Sequence, residues 1–368
     1  MSKAAELANL IGNINAGGGG VNRNVIGNGA MTCSQRGTSF NQPADGAYTL
    51  DRFSVFRNGE GIMDVEQSTT VPSGEGFKNS LKCTVDTVDT SLDSNDFGGL
   101  GTKVEGQDLA RFNFGQATAK QFVFSFFVRS NITGTYSVSF RNGSANRYLV
   151  KEYTISSADT WQKITITNLA DTTGTWATDN TTGLDIRFCL WSDGDFDASA
   201  GSWATGNIIG SSSNVNWATS TSNSFYLTGV QLEVGQNPIE FEHEPYEKTI
   251  SKCQRYYYRY SCDGTHDGVY TVGNATTNDD AIAVIATPVG MRAEPSFGFQ
   301  TGSGGSRVRT GSGSSQQVSA MSIIGFSNDQ QGNKFQISAT TTTTNLTAGD
   351  AAQFRVSTDD FIDLDSEL

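Results

Sequence analysis

Residues 122–128 read FVFSFFV and residues 135–141 read TYSVSFR, and these two stretches carry the clearest secondary-structure pattern in the chain. In both, large apolar residues recur at every second position with smaller or polar residues between them. Because successive side chains of a strand point to opposite faces of a sheet, this alternation predicts two half-buried β-strands. The intervening NITG at 131–134 has turn chemistry and predicts a hairpin.

Further strands are predicted at residues 161–167, 185–191 and 225–234. In the last of these, the apolar residues occupy odd-numbered positions from Phe225 and even-numbered positions from Val230. Gly229 lies where this alternation changes, as a β-bulge requires. Many short strands with long polar connections and no helices between them predict an all-β fold, an antiparallel sandwich of jelly-roll type.

The 368 residues exceed what one hydrophobic core usually serves, so more than one domain is expected. An acidic segment at 237–248, expected to be extended, marks a boundary. We predict a helix and glycine joint at 1–20, the jelly-roll sandwich at 21–248 and a smaller C-terminal β domain at 249–368. Strands of the last domain are expected at 281–286, 319–326, 334–338 and 353–357, with glycine- and serine-rich loops at 302–306 and 311–315.

The first residues carry the one convincing helical pattern, from Ser2 to Ile14. Its apolar stripe consists of Ala4, Leu7, Leu10, Ile11 and Ile14. A helix this short is marginal alone, so the stripe needs a partner. Two alternatives remain: an arm packed on its own domain, or a peptide that docks to another protein or self-associates, which the flexible run Gly17–Gly20 favours.

The charge balance excludes several partners. With 25 Lys and Arg against 38 Asp and Glu, the net charge is −13 and the pI is about 4.6, which opposes binding to nucleic acid or anionic lipid. Mean hydropathy is −0.35 and no apolar run approaches ~18 residues, so no membrane insertion is expected. The start of the sequence lacks the layout of a secretion signal, and we expect folding inside a cell.

The cysteines and histidines give no sign of a metal or redox centre. Only His243 and His266 could join the cysteines in binding a metal. The five cysteines are irregularly spaced, at Cys33, Cys83, Cys189, Cys253 and Cys262. Free buried thiols are the expectation, and no cofactor is predicted.

Two acidic clusters are weak calcium candidates. Asp193, Asp195 and Asp197 resemble the opening of a calcium loop, but the sixth position is Ala198 and the twelfth Ala204, which excludes an EF-hand. A looser calcium loop and a solvated turn both remain open. The second cluster is more typical of a polar loop: Asp86, Asp89, Asp93 and Asp96.

Aromatic residues in polar stretches are candidates for a ligand surface or an interface. Trp191, Trp203 and Trp217 lie in or beside Gly-, Ser- and Asn-rich loops, and Tyr256, Tyr257 and Tyr258 form a dense patch with two arginines. Such rings could stack on sugars, fill the core or form a subunit interface, and the last two are favoured.

Catalytic signatures are missing from the sequence. Two histidines in connector-like stretches do not suit a Ser-His-Asp arrangement, and Gly311, Ser312 and Gly313 lack the strand-to-helix context of a nucleophile elbow. We therefore expect a protein that is not an enzyme.

Several segments resemble tail fibres and other virion proteins of tailed bacteriophages. The resemblance begins with AELANLIGN at 5–13 and the glycine run, then NGAM at 28–31, QRG at 35–37 and YTLDRF at 48–53. It continues with FFVRS at 126–130, GTYSV at 134–138, GVQLEVG at 229–235, FEHEPY at 241–246, CQRYY at 253–257 and PVGMRAEP at 288–295. These segments span residues 1 to about 300.

The resemblance implies a carbohydrate-binding-like jelly roll in a virion structural protein, assembled in the host cytoplasm. It implies a homotrimeric tail fibre that attaches by its N-terminus to tail, adaptor or baseplate proteins and recognises a host-surface glycan or protein. The alternatives are a capsid decoration or neck-whisker protein, and a polysaccharide hydrolase. The absence of a long repetitive β-helix departs from the enzymatic tailspikes.

Overall fold

The chain divides into two units, one of Met1–Thr249 with Leu368 and one of Ile250–Glu367. The computed structural model describes residues 2–15, 22–262, 268–299, 305–311, 315–326, 333–357 and 361–368. The predicted joint at Gly17–Gly20 lies outside the described residues, as do most of the predicted loops at 302–306 and 311–315.

The first unit contains the whole of helix α1 (Lys3–Asn15) and fourteen strands among its described residues. The strands are β1 (Ser39–Phe40), β2 (Phe53–Asn58), β3 (Ile62–Ser68), β4 (Ser80–Thr87), β5 (Phe97–Glu105), β6 (Phe122–Ser130), β7 (Gly134–Asn142), β8 (Arg147–Ile155), β9 (Gln162–Ile166), β10 (Thr182–Ser192), β11 (Asp197–Ala198), β12 (Ala204–Thr205), β13 (Gly210–Ser211) and β14 (Ser224–Val234). Short 3₁₀ turns cover Gly106–Phe112, Gly194–Phe196 and Trp217–Thr219.

Two six-stranded antiparallel sheets form the sandwich. Their strand orders are β1-β3-β4-β14-β6-β9 and β12-β8-β7-β10-β5-β2. The inner faces pack together, with the Phe124 ring of the first sheet 5.2 Å from the Phe140 ring of the second. Phe122, Phe124 and Phe126 are all fully buried. The predicted all-β jelly-roll sandwich is therefore confirmed, and period-two alternation marks its inward faces.

The predicted hairpin at residues 131–134 is wrong. β6 pairs with β14 and β9, whereas β7 pairs with β10 and β8, so these residues carry the chain from one sheet to the other. The Asn131 side chain accepts the Ser224 N–H at 2.8 Å and holds the crossover to β14. Turn residues bend the chain locally but do not determine which strands pair.

The predicted bulge in β14 is present. Gly229 has a φ of +63°, and the β14–β6 register shifts between Thr228 and Gln231. A Cβ at this position would lie 2.7 Å from Phe77 Cζ and 2.8 Å from Phe127 Cδ2. Glycine is therefore required by both the backbone conformation and the packing.

The second unit combines a closed barrel with a small sheet. Helix α2 (Tyr246–Gln254) begins in the first unit and ends in the second. The acidic segment at 237–248 is therefore helical from Tyr246 onward, whereas an extended conformation was predicted for all of it. The barrel order is β16-β17-β21-β20-β19-β22, and the sheet order is β15-β23-β18. The strands are β15 (Tyr257–Ser261), β16 (Gly268–Ala275), β17 (Asp280–Ala286), β18 (Ser296–Phe299), β19 (Arg307–Thr310), β20 (Ser315–Phe326), β21 (Lys334–Thr341), β22 (Ala351–Val356) and β23 (Phe361–Asp365).

Candidate functional site

Helix α1 presents its apolar stripe to solvent. Leu7, Ile11 and Ile14 are 57%, 49% and 43% exposed, Ala4 is exposed and Leu10 is half-buried. Leu7, Ile11 and Ile14 are therefore not covered by the described residues of the chain, whereas Leu10 is partly covered. Glu6 Oε1 instead accepts the Glu240 backbone N–H at 2.6 Å.

The segment that follows the glycine run is bound through its backbone. The Glu242 carboxylate accepts N–H groups from Asn22 at 2.6 Å, Arg23 at 2.8 Å and Asn24 at 3.0 Å. Arg23 Nε also lies 3.3 Å from Glu233 Oε2 on β14. We call residues 22–24 with Glu233 and Glu242 the N-terminal clasp. It joins the first residues of the sandwich to its last strand and the segment after it.

The pKa values of the two clasp carboxylates are shifted in opposite directions. Burial alone would raise the pKa of Glu242, but the three backbone N–H donors and Arg23 outweigh it and hold the pKa below its usual value. Burial raises the pKa of Glu233 to about 7, against the lowering effect of Arg23. Glu242 is therefore ionised at neutral pH, whereas Glu233 titrates near neutrality.

Two of the three tryptophans considered as core, ligand or interface residues lie inside the sandwich. Trp191 and Trp217 are fully buried and stack on each other with ring centroids 6.2 Å apart. Trp203 is half-buried, contacts Trp176 at 5.3 Å and donates Nε1–H to the Leu169 carbonyl. Of the alternatives, core packing therefore applies to Trp191 and Trp217, because their burial leaves no ring face for a sugar or a second subunit.

The tyrosine patch is also mostly covered. Tyr256 is 7% and Tyr257 2% exposed, so neither ring can serve as a ligand platform. Tyr258 is half-buried and packs edge-on against Tyr260 at 4.7 Å. Strand β15 thus uses its aromatic residues for packing within the second unit.

The two acidic clusters differ in arrangement. Asp193, which is exposed, and Asp197, which is half-buried, line one cavity of about 630 Å³, whereas the exposed Asp195 is not among its lining residues. The carboxylates of Asp89 and Asp96 instead accept local backbone N–H groups, from Ser91 and Asp93. Asp86 accepts hydrogen bonds from Gln42 and Thr87, so the second cluster does not converge on a shared ligand position.

The five cysteines are free, and all except half-buried Cys262 are buried. Burial raises the pKa of Cys189 to about 12, which keeps that thiol protonated and inert.

Sequence reasoning missed a cleft of about 340 Å³ in the first unit. One wall is a three-ring cluster in which Phe77, Phe241 and His243 have pairwise centroid distances of 5.0 Å. His243 Nε2 lies 2.9 Å from the Glu75 carbonyl oxygen, which orients the imidazole. Gly29 and Ala30 are also among the residues that line the cleft.

Polar groups surround this apolar wall. Lys78, Asn79, Glu244 and the exposed ring of Tyr246 also line the cleft. Glu244 pairs with Lys248 at 2.7 Å, and the clasp occupies both oxygens of Glu242. Both carboxylates are therefore held by local partners, and the volume of the cleft falls within the range of small-molecule pockets. The FEHEPY segment was visible in the sequence, but Phe77 comes from a distant loop with no signal of its own.

No helix among the described residues is long and apolar enough to cross a membrane. No family model matches the chain, and no curated protein matches it.

Solved structures give weak likenesses. A putative sugar binding protein from Bacteroides thetaiotaomicron has a TM-score of 0.31 and 12% identity over 58% of this chain and 100% of that chain. TmCBM61, in complex with β-1,4-galactotriose, has a TM-score of 0.28 and 10% identity over 58% of this chain and 99% of that one. The enzymatically active domain of bacteriophage CBA120 tailspike protein 4 has a TM-score of 0.30 and 11% identity over 53% of this chain. This chain spans 21% of that tailspike chain, and at such TM-scores none of these likenesses carries an argument about ligand or activity.

Proposed function

We propose that the protein is a structural component of a tailed-phage virion, a homotrimeric tail fibre that attaches to the particle by α1 and binds a host-surface glycan without catalysing a reaction. The proposal rests on the resemblance of residues 1 to about 300 to tail fibre proteins and on the exposed stripe of α1.

The single observation that carries the proposal is the exposure of Leu7, Ile11 and Ile14 on one helix face. Burying a Leu or Ile side chain contributes about 1.5–3 kcal/mol, so a helix that leaves three exposed gains stability from a partner. In a trimer three such stripes can pack together, and on a particle they can insert into a groove of another virion protein.

The cleft at Phe77, Phe241 and His243 is the proposed glycan site. An apolar ring wall beside Lys78, Asn79 and Tyr246 combines a face for a sugar ring with hydrogen-bonding groups for its hydroxyls. Weak binding at one site is sufficient, because linked copies raise the effective concentration of the second contact.

The experiment compares two double variants of the full chain. Leu7→Asp with Ile11→Asp places two charges in the stripe, and Ala5→Asp with Gly12→Asp places the same charges on another face of the helix, where a Cβ at Gly12 meets nothing within 4 Å. Sedimentation velocity should give a trimer for the wild type and the control, and a monomer for the stripe variant.

Incorporation into particles is the second measurement. Phage particles made with the wild type or the control variant should contain the chain, and particles made with the stripe variant should lack it. A wild-type chain that is monomeric and enters no particle would overturn the proposal. Particles that lack the chain but still adsorb to the host would favour the capsid decoration or neck-whisker alternative, and release of reducing ends from host polysaccharide would favour a hydrolase.

A further inference from the structure

The cavity that contains Asp193 and Asp197 is formed where three parts of the first unit meet. Ser192 ends β10, Asp197 begins β11, and Asn214 follows β13. β11 and β13 run parallel, with Asp197 opposite Gly210. The parallel pair therefore fixes Asp197 and the Asn214 loop on one side of β10.

Three buried side-chain oxygens of this cavity have no hydrogen bond of acceptable geometry: Ser192 Oγ, Asp197 Oδ1 and Asn214 Oδ1. Ser192 as a whole is only 8% exposed. The orientation of Asn214 follows from chemistry, because only its Nδ2 can donate to the Cys189 carbonyl at 3.2 Å, which leaves Oδ1 as the other atom. Buried oxygens without donors are costly, so a ligand that accepts their lone pairs would stabilise the loop.

Gly210 keeps the space between these oxygens open. A Cβ there would lie 2.1 Å from Ser192 Oγ and 2.8 Å from Asp197 Oδ1. Both oxygens therefore approach the same backbone position, where any side chain would displace them.

The acidic loop itself is held in place by its backbone. The N–H groups of Asp193 and Asp195 donate to the carbonyls of Asp96 at 3.0 Å and Ser94 at 2.6 Å. Gly194 between them has a φ of +65°, and its missing side chain leaves room for Ser94. The cavity thus presents two carboxylates on a fixed loop.

We propose that this cavity is a calcium site whose protein ligands are Asp193, Asp197, Asn214 and Ser192. Two carboxylates, one amide oxygen and one hydroxyl make an all-oxygen donor set, which a hard cation prefers, and two negative charges match its charge.

Calcium fits this donor set better than magnesium. Mg²⁺ requires near-ideal octahedral geometry and usually keeps several waters, whereas Ca²⁺ accepts six to eight oxygens in irregular positions. Amide, hydroxyl and carboxylate oxygens from three separate chain segments form an irregular set, and water completes the coordination from the solvent side.

The test is calorimetric titration of the EDTA-treated full chain with CaCl₂, and in parallel with MgCl₂. We expect calcium binding with a dissociation constant on the order of 10⁻⁴ M or tighter, and a higher melting temperature when calcium is added. Magnesium should bind at least tenfold more weakly. No calcium heat and no melting shift up to about 10 mM would overturn the proposal.

Asp195→Asn is the matched control, because it makes the same charge change in the same loop outside the cavity. Asp197→Asn should weaken calcium binding at least tenfold, and the control should change it less than threefold. Ser192→Ala covers the case in which Asp197→Asn does not fold. It removes the hydroxyl ligand without a change of charge, so calcium binding should be weaker. Equal losses in Asp195→Asn and Asp197→Asn, or unchanged binding in both Asp197→Asn and Ser192→Ala, would contradict the assignment.

Discussion

Glu242 Oε2 accepts the backbone N–H of Arg23 at 2.8 Å, although 219 positions separate the two residues. The same carboxylate binds Asn22 and Asn24 on either side, so one side chain fixes three consecutive backbone groups. This contact joins the start of the sandwich to the segment that leaves it.

The first prediction concerns the clasp. Glu242→Ala removes the acceptor of three N–H groups, and we expect a loss of about 2–3 kcal/mol in the free energy of unfolding of the first unit. Glu240→Ala is the control, because its side chain is exposed in the same segment and should cost less than about 0.5 kcal/mol. Urea denaturation measures both, and equal midpoints would show that the clasp contributes nothing.

The second prediction concerns pH. The pKa of Glu233 is about 7 in the folded chain and 4.5 ordinarily, so the folded state holds its proton more tightly. The stability from this protonated form is complete below pH 4.5 and is lost as pH rises through 7. Glu233→Gln stays neutral, and its melting temperature should fall less between pH 5 and pH 8 than that of the wild type. An equal fall in melting temperature between pH 5 and pH 8 for the two proteins would refute the raised pKa of Glu233.

The third prediction separates strain from packing at glycines with positive φ. Gly46 has a φ of +76°, and a Cβ added there would meet nothing within 4 Å. Gly46→Ala should therefore lower the free energy of unfolding by about 1 kcal/mol, from the left-handed backbone conformation alone. Gly229→Ala adds contacts below 3 Å with Phe77 and Phe127, and should cost about 3 kcal/mol. Equal losses in chemical denaturation would mean that the bulge has room for a methyl group.

The fourth prediction concerns the cleft. Tyr246→Ala removes an exposed ring from its edge and should weaken binding to host glycan at least tenfold, equivalent to about 1.4 kcal/mol. Tyr226→Ala is the control, because that ring lies on β14 against Arg129 and outside the cleft-lining residues. A glycan array probed with the full chain identifies the bound glycan, and the binding of both variants to that glycan is then compared with that of the wild type. An equal loss in both variants would indicate a general effect of unfolding.

Local patterns predicted much of the fold. Period-two alternation identified β6, β7, β10 and β14, and a phase change located the bulge at Gly229, because these signals depend only on neighbouring side chains. The same local reasoning gave a wrong hairpin at 131–134 and missed α2, since strand partners and helix boundaries also depend on distant contacts.

The β character of the chain and the amphipathic pattern of α1 could be predicted from the sequence, since both follow from the order of apolar and polar residues. The folded chain was needed to show that Trp191 and Trp217 are core residues, that Phe77 contacts Phe241 and His243, and that Asp197 lines the cavity while Asp195 does not. These outcomes depend on which distant segments the two sheets bring together, and no local pattern of residues encodes that pairing.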